Sequence, residues 1–349
     1  MQSGCVRKFI MALHGKTPFE PSFAQFCDRM DRLGAQQVPF VFVIDYKCRK
    51  PLIWEVGDVP PGVLYDFSGF TNQPAEASPA GPAPVFRKYP MPFDEYMKSF
   101  ELAQKNIRRG ESFLVNISAR TPVETNLSLK EIFLRSSAAY KLCLEDQFVC
   151  FSPETFVRIC RDEIATYPMK GTIDASLPDA ARSVLQNPKE AAEHATIVDL
   201  LRNDISRAAS KVWVEKYRYI DTIRTLSNTL LQVSSEIRGK IPASLQNAFG
   251  SILYEMLPAG SVTGAPKPRT IQIIEEAEGY DRGYYTGVMG CFDGVRFESA
   301  VMIRFIERIG GGLVFKSGGG ITGLSDAGAE YQEMIDKVYL PIPASPAEY

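Results

Sequence analysis

Tyr284-Tyr-Thr-Gly-Val-Met-Gly-Cys-Phe-Asp-Gly-Val-Arg-Phe-Glu-Ser-Ala-Val-Met-Ile-Arg-Phe-Ile-Glu-Arg-Ile-Gly-Gly-Gly-Leu-Val-Phe-Lys-Ser-Gly-Gly-Gly-Ile-Thr322 is the stretch that decides the fold. Apolar residues alternate along it and glycines break the alternation, so residues 284–322 read as a meander of antiparallel strands. The same pattern recurs upstream. Glu154 to Tyr167 reads as a β-hairpin, Val212 to Ile237 as a strand pair, and Val38 to Trp54 as strand-like runs around a charged turn at Lys47–Lys50. Between these lie segments of helical spacing. Asp94–Arg109 repeats apolar residues at Tyr96, Phe100, Ala103 and Ile107 and stops at Gly110. Ser128–Tyr140, Pro188–Ala209, 244–256, 267–278 and Ala327–Tyr339 read as further helices. Strands arrive in runs rather than alternating singly with helices, which makes the chain α+β.

The 349 residues suffice for one large domain or two moderate ones with a full core. An apolar fraction of 45% and a charged fraction of 23% are ordinary for a globular protein. The net charge is −2 and there is no basic tail, so nucleic acid and anionic membranes are not expected partners. No apolar run approaches the roughly 20 residues that span a bilayer. Phe9 to Leu13 follow Arg7-Lys8, but five residues are too few for the apolar core of a signal peptide. The seven cysteines show no CxxC spacing, which argues against a disulfide framework or a zinc site. Cytoplasmic residence is the default expectation. Residues 71–92, rich in Pro, Ala, Gly and Ser, read as an exposed connection. It separates an N-terminal portion, 1–70, expected to add strands to the main body, from the main domain at 93–340.

Chemistry concentrates in four blocks. The first is Tyr167-Pro-Met-Lys-Gly-Thr172, which sets Lys170 on stiff backbone between a proline-led turn and a glycine. An arbitrary lysine in such a place reads as a solvated loop residue; the other blocks change that reading. They are Ala192-Glu-His-Ala-Thr-Ile-Val-Asp-Leu-Leu-Arg-Asn-Asp204, Leu257-Pro-Ala-Gly-Ser-Val-Thr-Gly-Ala-Pro-Lys267, and Ser317-Gly-Gly-Gly-Ile-Thr322 followed by Ala329-Glu-Tyr-Gln-Glu333. Glu330 and Glu333 lie three apart on the last helix and share a face. Two like charges there repel unless a cation sits between them. Oxygen ligands without histidine or cysteine select Mg²⁺, and a solvated acidic face is the alternative. Gly318-Gly319-Gly320 can present backbone N–H groups to an anion.

In this order the four blocks resemble the chorismate-utilising enzymes: the anthranilate, aminodeoxychorismate, isochorismate and salicylate synthases. The resemblance runs from about residue 90 to residue 340. It implies two antiparallel β-sheets packed face to face with helices outside. Lysine at position 170 is similar to the aminodeoxychorismate synthases, whereas anthranilate synthases, the nearest alternative, carry alanine there. Isochorismate and salicylate synthases place a water-activating lysine on the strand that here reads Ser112-Phe-Leu-Val-Asn116. Leu114 holds the matching position, and leucine is no base.

The resemblance also implies a set of roles. Glu193, Glu330 and Glu333 would bind Mg²⁺, which would grip the ring carboxylate of chorismate. Arg304 and Tyr285 would hold the enolpyruvyl carboxylate, the guanidinium offering two-pronged geometry. Thr263, Gly264, Gly318, Gly319, Gly320 and Lys337 would line the substrate pocket, a surface charge being the alternative for Lys337. Glu154, sixteen residues before Lys170, would be the general acid, with a pKa raised by partial burial. Lys170 would attack ring carbon 2, and burial or a neighbouring cation would have to lower its pKa. No cysteine–histidine–glutamate amidotransferase block is present, so ammonia is expected from a separate glutamine amidotransferase subunit. The expected product is 4-amino-4-deoxychorismate, an intermediate toward 4-aminobenzoate and folate. The chain departs from its relatives where they carry a histidine two residues before the serine matching Ser227; here the run is Ile223-Arg-Thr-Leu-Ser227. His194 stands where many relatives have asparagine and reads as structural. A tryptophan-binding pocket found in some relatives is expected to be absent or vestigial.

Overall fold

The computed structural model describes residues 21–74, 82–224 and 229–342. In chain order its strands are β1 (Phe40–Ile44), β2 (Leu52–Glu55), β3 (Val63–Phe67), β4 (Phe70–Thr71), β5 (Phe86–Lys88), β6 (Leu114–Thr125), β7 (Tyr140–Leu144), β8 (Phe148–Ser152) and β9 (Thr155–Cys160). They continue with β10 (Glu163–Thr166), β11 (Met169–Asp174), β12 (Lys211–Arg224), β13 (Thr229–Lys240), β14 (Gly264–Ala265), β15 (Val288–Phe292), β16 (Arg296–Val301), β17 (Phe305–Ile309) and β18 (Gly312–Ile321). The helices are α1 (Pro21–Ala35), α2 (Phe93–Arg108), α3 (Leu129–Arg135), α4 (Ala180–Gln186), α5 (Pro188–Ser206), α6 (Phe249–Met256), α7 (Lys267–Glu278) and α8 (Ala327–Asp336).

Two antiparallel sheets result. The first runs β11-β13-β10-β9-β16-β15-β1-β2, with β12 also on β13. The second runs β14-β6-β18-β17-β8-β7-β3-β4, with β5 also on β6. The α+β architecture of two facing sheets expected from the sequence is therefore present.

The residues of β1 explain why the sheets stack. Phe-Val-Phe-Val-Ile is buried throughout, a run for a strand covered on both faces. Phe40, Phe42 and Ile44 pack with Phe23, Cys27 and Met30 of α1 and Phe249 and Leu253 of α6. Val41 and Val43 point the other way and meet Tyr65, Leu142 and Phe148 of the second sheet. The second sheet is covered in turn by α2, α7 and α8 through Phe100, Ile273 and Met334, and by α3 through Ile132 and Phe133. The layers are helix, sheet, sheet, helix.

The helix expected over Ser128–Tyr140 stops at Arg135. Ser128 and Glu131 form the capping box that starts it. From Tyr140 the alternation is that of a strand: Tyr140, Leu142 and Leu144 face the core between the sheets while Cys143 faces α3. The helix expected from 244 begins only at Phe249, behind a short 3₁₀ turn at Ala243–Leu245. The meander of 284–322 is three strands plus the returning β18, each pairing antiparallel with a neighbour.

Candidate active site

A cavity of about 530 Å³ opens where β11 and β13 of the first sheet face β6 and β18 of the second, within the range of small-molecule sites. Helix α5 closes one side with Glu190 and Glu193, and α8 the other with Glu333 and, at its C-cap, Lys337. Lys170, Glu154, Tyr285, Arg304, Gly318, Gly319 and Gly320 all line it.

Lys170 is the second residue of β11, at a register irregularity between Met169 and Thr172 against β13. Gly171 makes that kink with φ at +86°. The Lys170 Nζ lies 2.8 Å from Glu193 Oε2. Burial acts to lower the lysine pKa, but the Glu193 hydrogen bond, with the charges of Glu193, Glu333 and Glu190, outweighs it and raises the pKa. The sequence-based expectation of a lowered pKa is thereby corrected: three carboxylates converge on this amine and hold it as ammonium.

Glu154 follows β8, and its Oε1 accepts a 2.6 Å hydrogen bond from Ser261 Oγ. Burial pushes its pKa up; Ser261 and the charges of Arg304 and Lys337 partly oppose this. A carboxyl kept protonated above its ordinary range suits a general acid. Arg304 sits between β16 and β17 with φ at +55°, and its buried Nε has no hydrogen-bond partner among the described residues. A buried guanidinium nitrogen without a partner, on a cavity-lining residue in left-handed backbone, is a group whose cost needs an explanation, and a ligand anion is one. Lys337 Nζ reaches Glu333 Oε1 at 2.7 Å and the Gly318 carbonyl at 2.9 Å. Burial lowers its pKa despite Glu333, and Arg304 and Lys170 add to that lowering.

The glycine run is part of β18 and pairs with β6 over Gly318↔Ser118, Gly319↔Ile117 and Gly320↔Asn116. A Cβ on Gly318 would stand 2.5 Å from the Ile117 carbonyl oxygen, so close strand approach demands glycine. Pairing with β17 ends at Phe305↔Lys316. Beyond it no strand among the described residues lies against the far edge of β18, and Gly318 turns its carbonyl, and with it its N–H, to that edge.

Several expected site residues stand elsewhere. Thr263 and Gly264 are buried and do not line the cavity. The Thr263 hydroxyl donates back to the Ala259 carbonyl at 2.8 Å. Gly264, at φ +126°, is pressed against the Leu114 carbonyl in β14–β6 pairing. Glu330 is 6% exposed and does not line the cavity; its Oε2 lies 3.4 Å from where a Cβ on Gly319 would stand. Glu193 and Glu333 each meet a lysine, and among the described residues no three carboxylates, histidines or cysteines stand close enough together to hold a metal ion as they are arranged here. Leu114 does line the cavity, at the position matching the other branch's lysine. His194 does not; its Nε2 bonds Ser235 Oγ at 2.7 Å in a buried contact between α5 and β13. Ser227 lies outside the described residues.

Two residues escaped the sequence reading. Glu190 lines the cavity with a buried Oε2 that has no hydrogen-bond partner. It precedes Glu193 by three, the same spacing that drew attention to Glu330 and Glu333. Ser261 sits inside a block already singled out, but nothing in sequence ties it to Glu154, 107 residues away.

The 3₁₀ turn Gly260–Val262 is held from behind by Lys267, whose Nζ lies 2.6 Å from Asp204 Oδ1 and 2.7 Å from the Met256 carbonyl. Asp204 Oδ2 accepts from Gly260 N at 3.0 Å. Lys267→Ala strands a buried carboxylate and is expected to cost about 3–5 kcal/mol. Urea denaturation checks this, with exposed Leu324→Ala, expected to change stability by about 0.5 kcal/mol or less, as the reference.

No helix among the described residues is long and apolar enough to cross a membrane. Residues 58–343 match the family model described as chorismate binding enzyme. A protein of Haemophilus influenzae named "Uncharacterized PabA-like protein" is 49% identical over 325 residues, covering 93% of this chain and 98% of that one. Aminodeoxychorismate synthase component 1 of Klebsiella aerogenes is 32% identical over 262 residues, 70% of this chain and 56% of the relative. Anthranilate synthase components match to a similar degree. The crystal structure of anthranilate synthase component I from Streptococcus pneumoniae superposes with a TM-score of 0.62 at 28% identity, over 73% of this chain and 58% of that one. The chain belongs to the family of chorismate binding enzymes, as the four sequence blocks led us to expect.

Proposed function

We propose that this chorismate-utilising enzyme aminates chorismate with ammonia at ring carbon 4, giving 4-amino-4-deoxychorismate by way of a covalent adduct on Lys170. The observation that carries the reading is the lysine amine at the cavity wall together with the Glu154 carboxyl, whose pKa burial raises, where anthranilate synthases resemble this chain but carry alanine at position 170. Arg304, with its unpartnered Nε, and Lys337 are the cations for the substrate's enolpyruvyl carboxylate.

The donor chemistry, though not yet the arrangement, suits a hard divalent cation: carboxylate oxygens on two helices facing one cavity, Glu193 and Glu333 each now paired with a lysine that an ion would have to displace, and a buried Glu190 Oε2 with no hydrogen-bond partner among the described residues. Mg²⁺ would be held by Glu193 and Glu333, with Glu190 beside them; Glu330, which the resemblance also assigns to the ion, does not line the cavity and would have to turn toward it. When bound, the ion supplies positive charge to the ring carboxylate and takes up the carboxylate charge that otherwise keeps Lys170 protonated.

The residues then divide the chemistry. The Lys170 proton passes to a neighbouring base, and Glu193, 2.8 Å away, is the nearest. The freed Nζ forms a bond to carbon 2, the ring double bond shifts, and the carbon 4 hydroxyl leaves as water with the proton Glu154 supplies. Ammonia adds at carbon 4 and gives its extra proton to the Glu154 carboxylate, the double bonds shift back, and the Nζ–carbon 2 bond breaks as the departing amine takes back the proton held by Glu193. Leu114 puts an apolar side chain where another branch activates water. Ammonia would come from a separate glutamine amidotransferase subunit.

The test is product identification by liquid chromatography and mass spectrometry after incubation with chorismate, Mg²⁺ and an ammonium salt. The expected product is 4-amino-4-deoxychorismate; anthranilate in its place would overturn the reading.

A further inference from the structure

Resting on the proposed reaction, one residue beyond those already assigned a role stands out. Ser261 Oγ donates to Glu154 Oε1 at 2.6 Å, and both residues line the cavity. No group among the described residues bonds the other carboxyl oxygen, Oε2. We propose that Ser261 is a positioning residue that ties down Oε1 of Glu154 and thereby makes Oε2 the atom that delivers the proton to the leaving hydroxyl.

The argument is one of donor and acceptor capacity. A carboxylic acid has one proton and two oxygens. An oxygen already accepting a short O–H bond is the poorer place for that proton, since the two hydrogens would then face each other. The proton therefore resides on Oε2. Without the serine, the carboxyl could rotate and present either oxygen, and part of the population would aim its proton away from substrate. Positioning of this kind contributes only if the anchor itself is rigid.

The anchor is rigid for reasons visible in its backbone. Ser261 is the middle residue of the 3₁₀ turn Gly260–Val262. Gly260 N donates to buried Asp204 Oδ2. The Val262 carbonyl accepts from Arg282 Nη1 at 2.8 Å. Arg282 is 1% exposed and paired with Glu278. Two buried ion pairs, one on each side, thus hold the turn that carries a single hydroxyl to Glu154.

The charged and titratable groups that face Glu154 are Arg304, from the β16–β17 connection, Lys337, from the C-cap of α8, and Tyr285. Both cations favour the carboxylate, as does the serine hydrogen bond, and burial opposes all three. Removing the serine takes away one stabiliser of the charged form, so the Glu154 pKa rises. Glu154 works as the protonated acid, so the rate falls as pH rises through its pKa. The high-pH limb of the kcat profile then moves to higher pH in Ser261→Ala, while kcat on the plateau falls by about tenfold, the scale of one hydrogen bond to a charged group. KM for chorismate stays unchanged, and Ser261→Thr, which keeps the hydroxyl, behaves as wild type.

The deciding experiment pairs that profile with the carbon-13 titration of the Glu154 carboxyl in protein labelled at glutamate side chains, the resonance being identified by its loss in Glu154→Gln. The inference predicts that Glu154 titrates at higher pH in Ser261→Ala than in wild type or Ser261→Thr. An unmoved titration in Ser261→Ala, or the same displacement in Ser261→Thr, overturns it. The titration needs no turnover: if wild type formed no 4-amino product, the proposed function would fall while the titration still decided the Ser261–Glu154 pairing.

Discussion

Lys170→Ala is expected to lower kcat for amination at carbon 4 by at least about 10³-fold, the scale seen when a covalent nucleophile is removed. The loss should fall on kcat rather than on KM. Arg304, Lys337 and the far edge of β18 remain in place to bind substrate anions. The substitution also releases Glu193 from its 2.8 Å partner, leaving Glu190, Glu193 and Glu333 to face the cavity without the cation they converge on. Some stability is lost to the repulsion this leaves, and Mg²⁺ binding, measured by calorimetry, should not weaken. Steady-state kinetics with saturating ammonium salt measures the main effect. A variant retaining more than about a tenth of wild-type kcat would remove the amine from the mechanism.

Glu154→Gln is expected to lower kcat by about 10²- to 10⁴-fold, the contribution of a positioned general acid. Glutamine keeps the shape and can still accept from Ser261 Oγ, so this loss reads out the proton itself. The pH dependence supplies the second signature. Burial raises the Glu154 pKa, so wild-type activity should persist to pH values above the ordinary carboxyl range and fall as the pH passes the raised value. Glu154→Gln should lack that limb. The pH profiles of kcat for the two proteins check this; an identical high-pH limb in both would assign the limb to another group.

Much of this was legible from residue pattern, and the parts that were not share a cause. Helix α7 begins and ends where its spacing placed it, Lys267 to Glu278, because local propensity and tertiary packing agree there. The helix expected over Ser128–Tyr140 ran five residues too far because Ser136 to Tyr140 carry no stop signal such as glycine or proline; Tyr140 instead opens β7 and packs in one cluster with Tyr65, 75 residues away in sequence, a contact no local pattern encodes. The site behaves likewise. The catalytic blocks announced Lys170, Glu193 and the glycine run, and α5 and α8 bring them to one cavity. What the blocks could not give was direction. Thr263 lies in the right block but turns its hydroxyl to its own backbone. Glu330 shares a helix with Glu333 yet is buried beside Gly319 and does not line the cavity. The Lys170 pKa depends on the balance between burial and three carboxylates, a balance set by distances no spacing encodes. Glu190, by contrast, was within reach, since its spacing to Glu193 repeats that of the pair on α8.

The covalent role of Lys170 has one direct measurement. Wild-type protein is incubated with chorismate and Mg²⁺ in the absence of ammonia, digested, and mapped by mass spectrometry. The account predicts a peptide carrying Lys170 with added mass equal to chorismate less one water, absent in Lys170→Ala. Unmodified Lys170 in a protein that aminates chorismate normally once ammonia is added would contradict it.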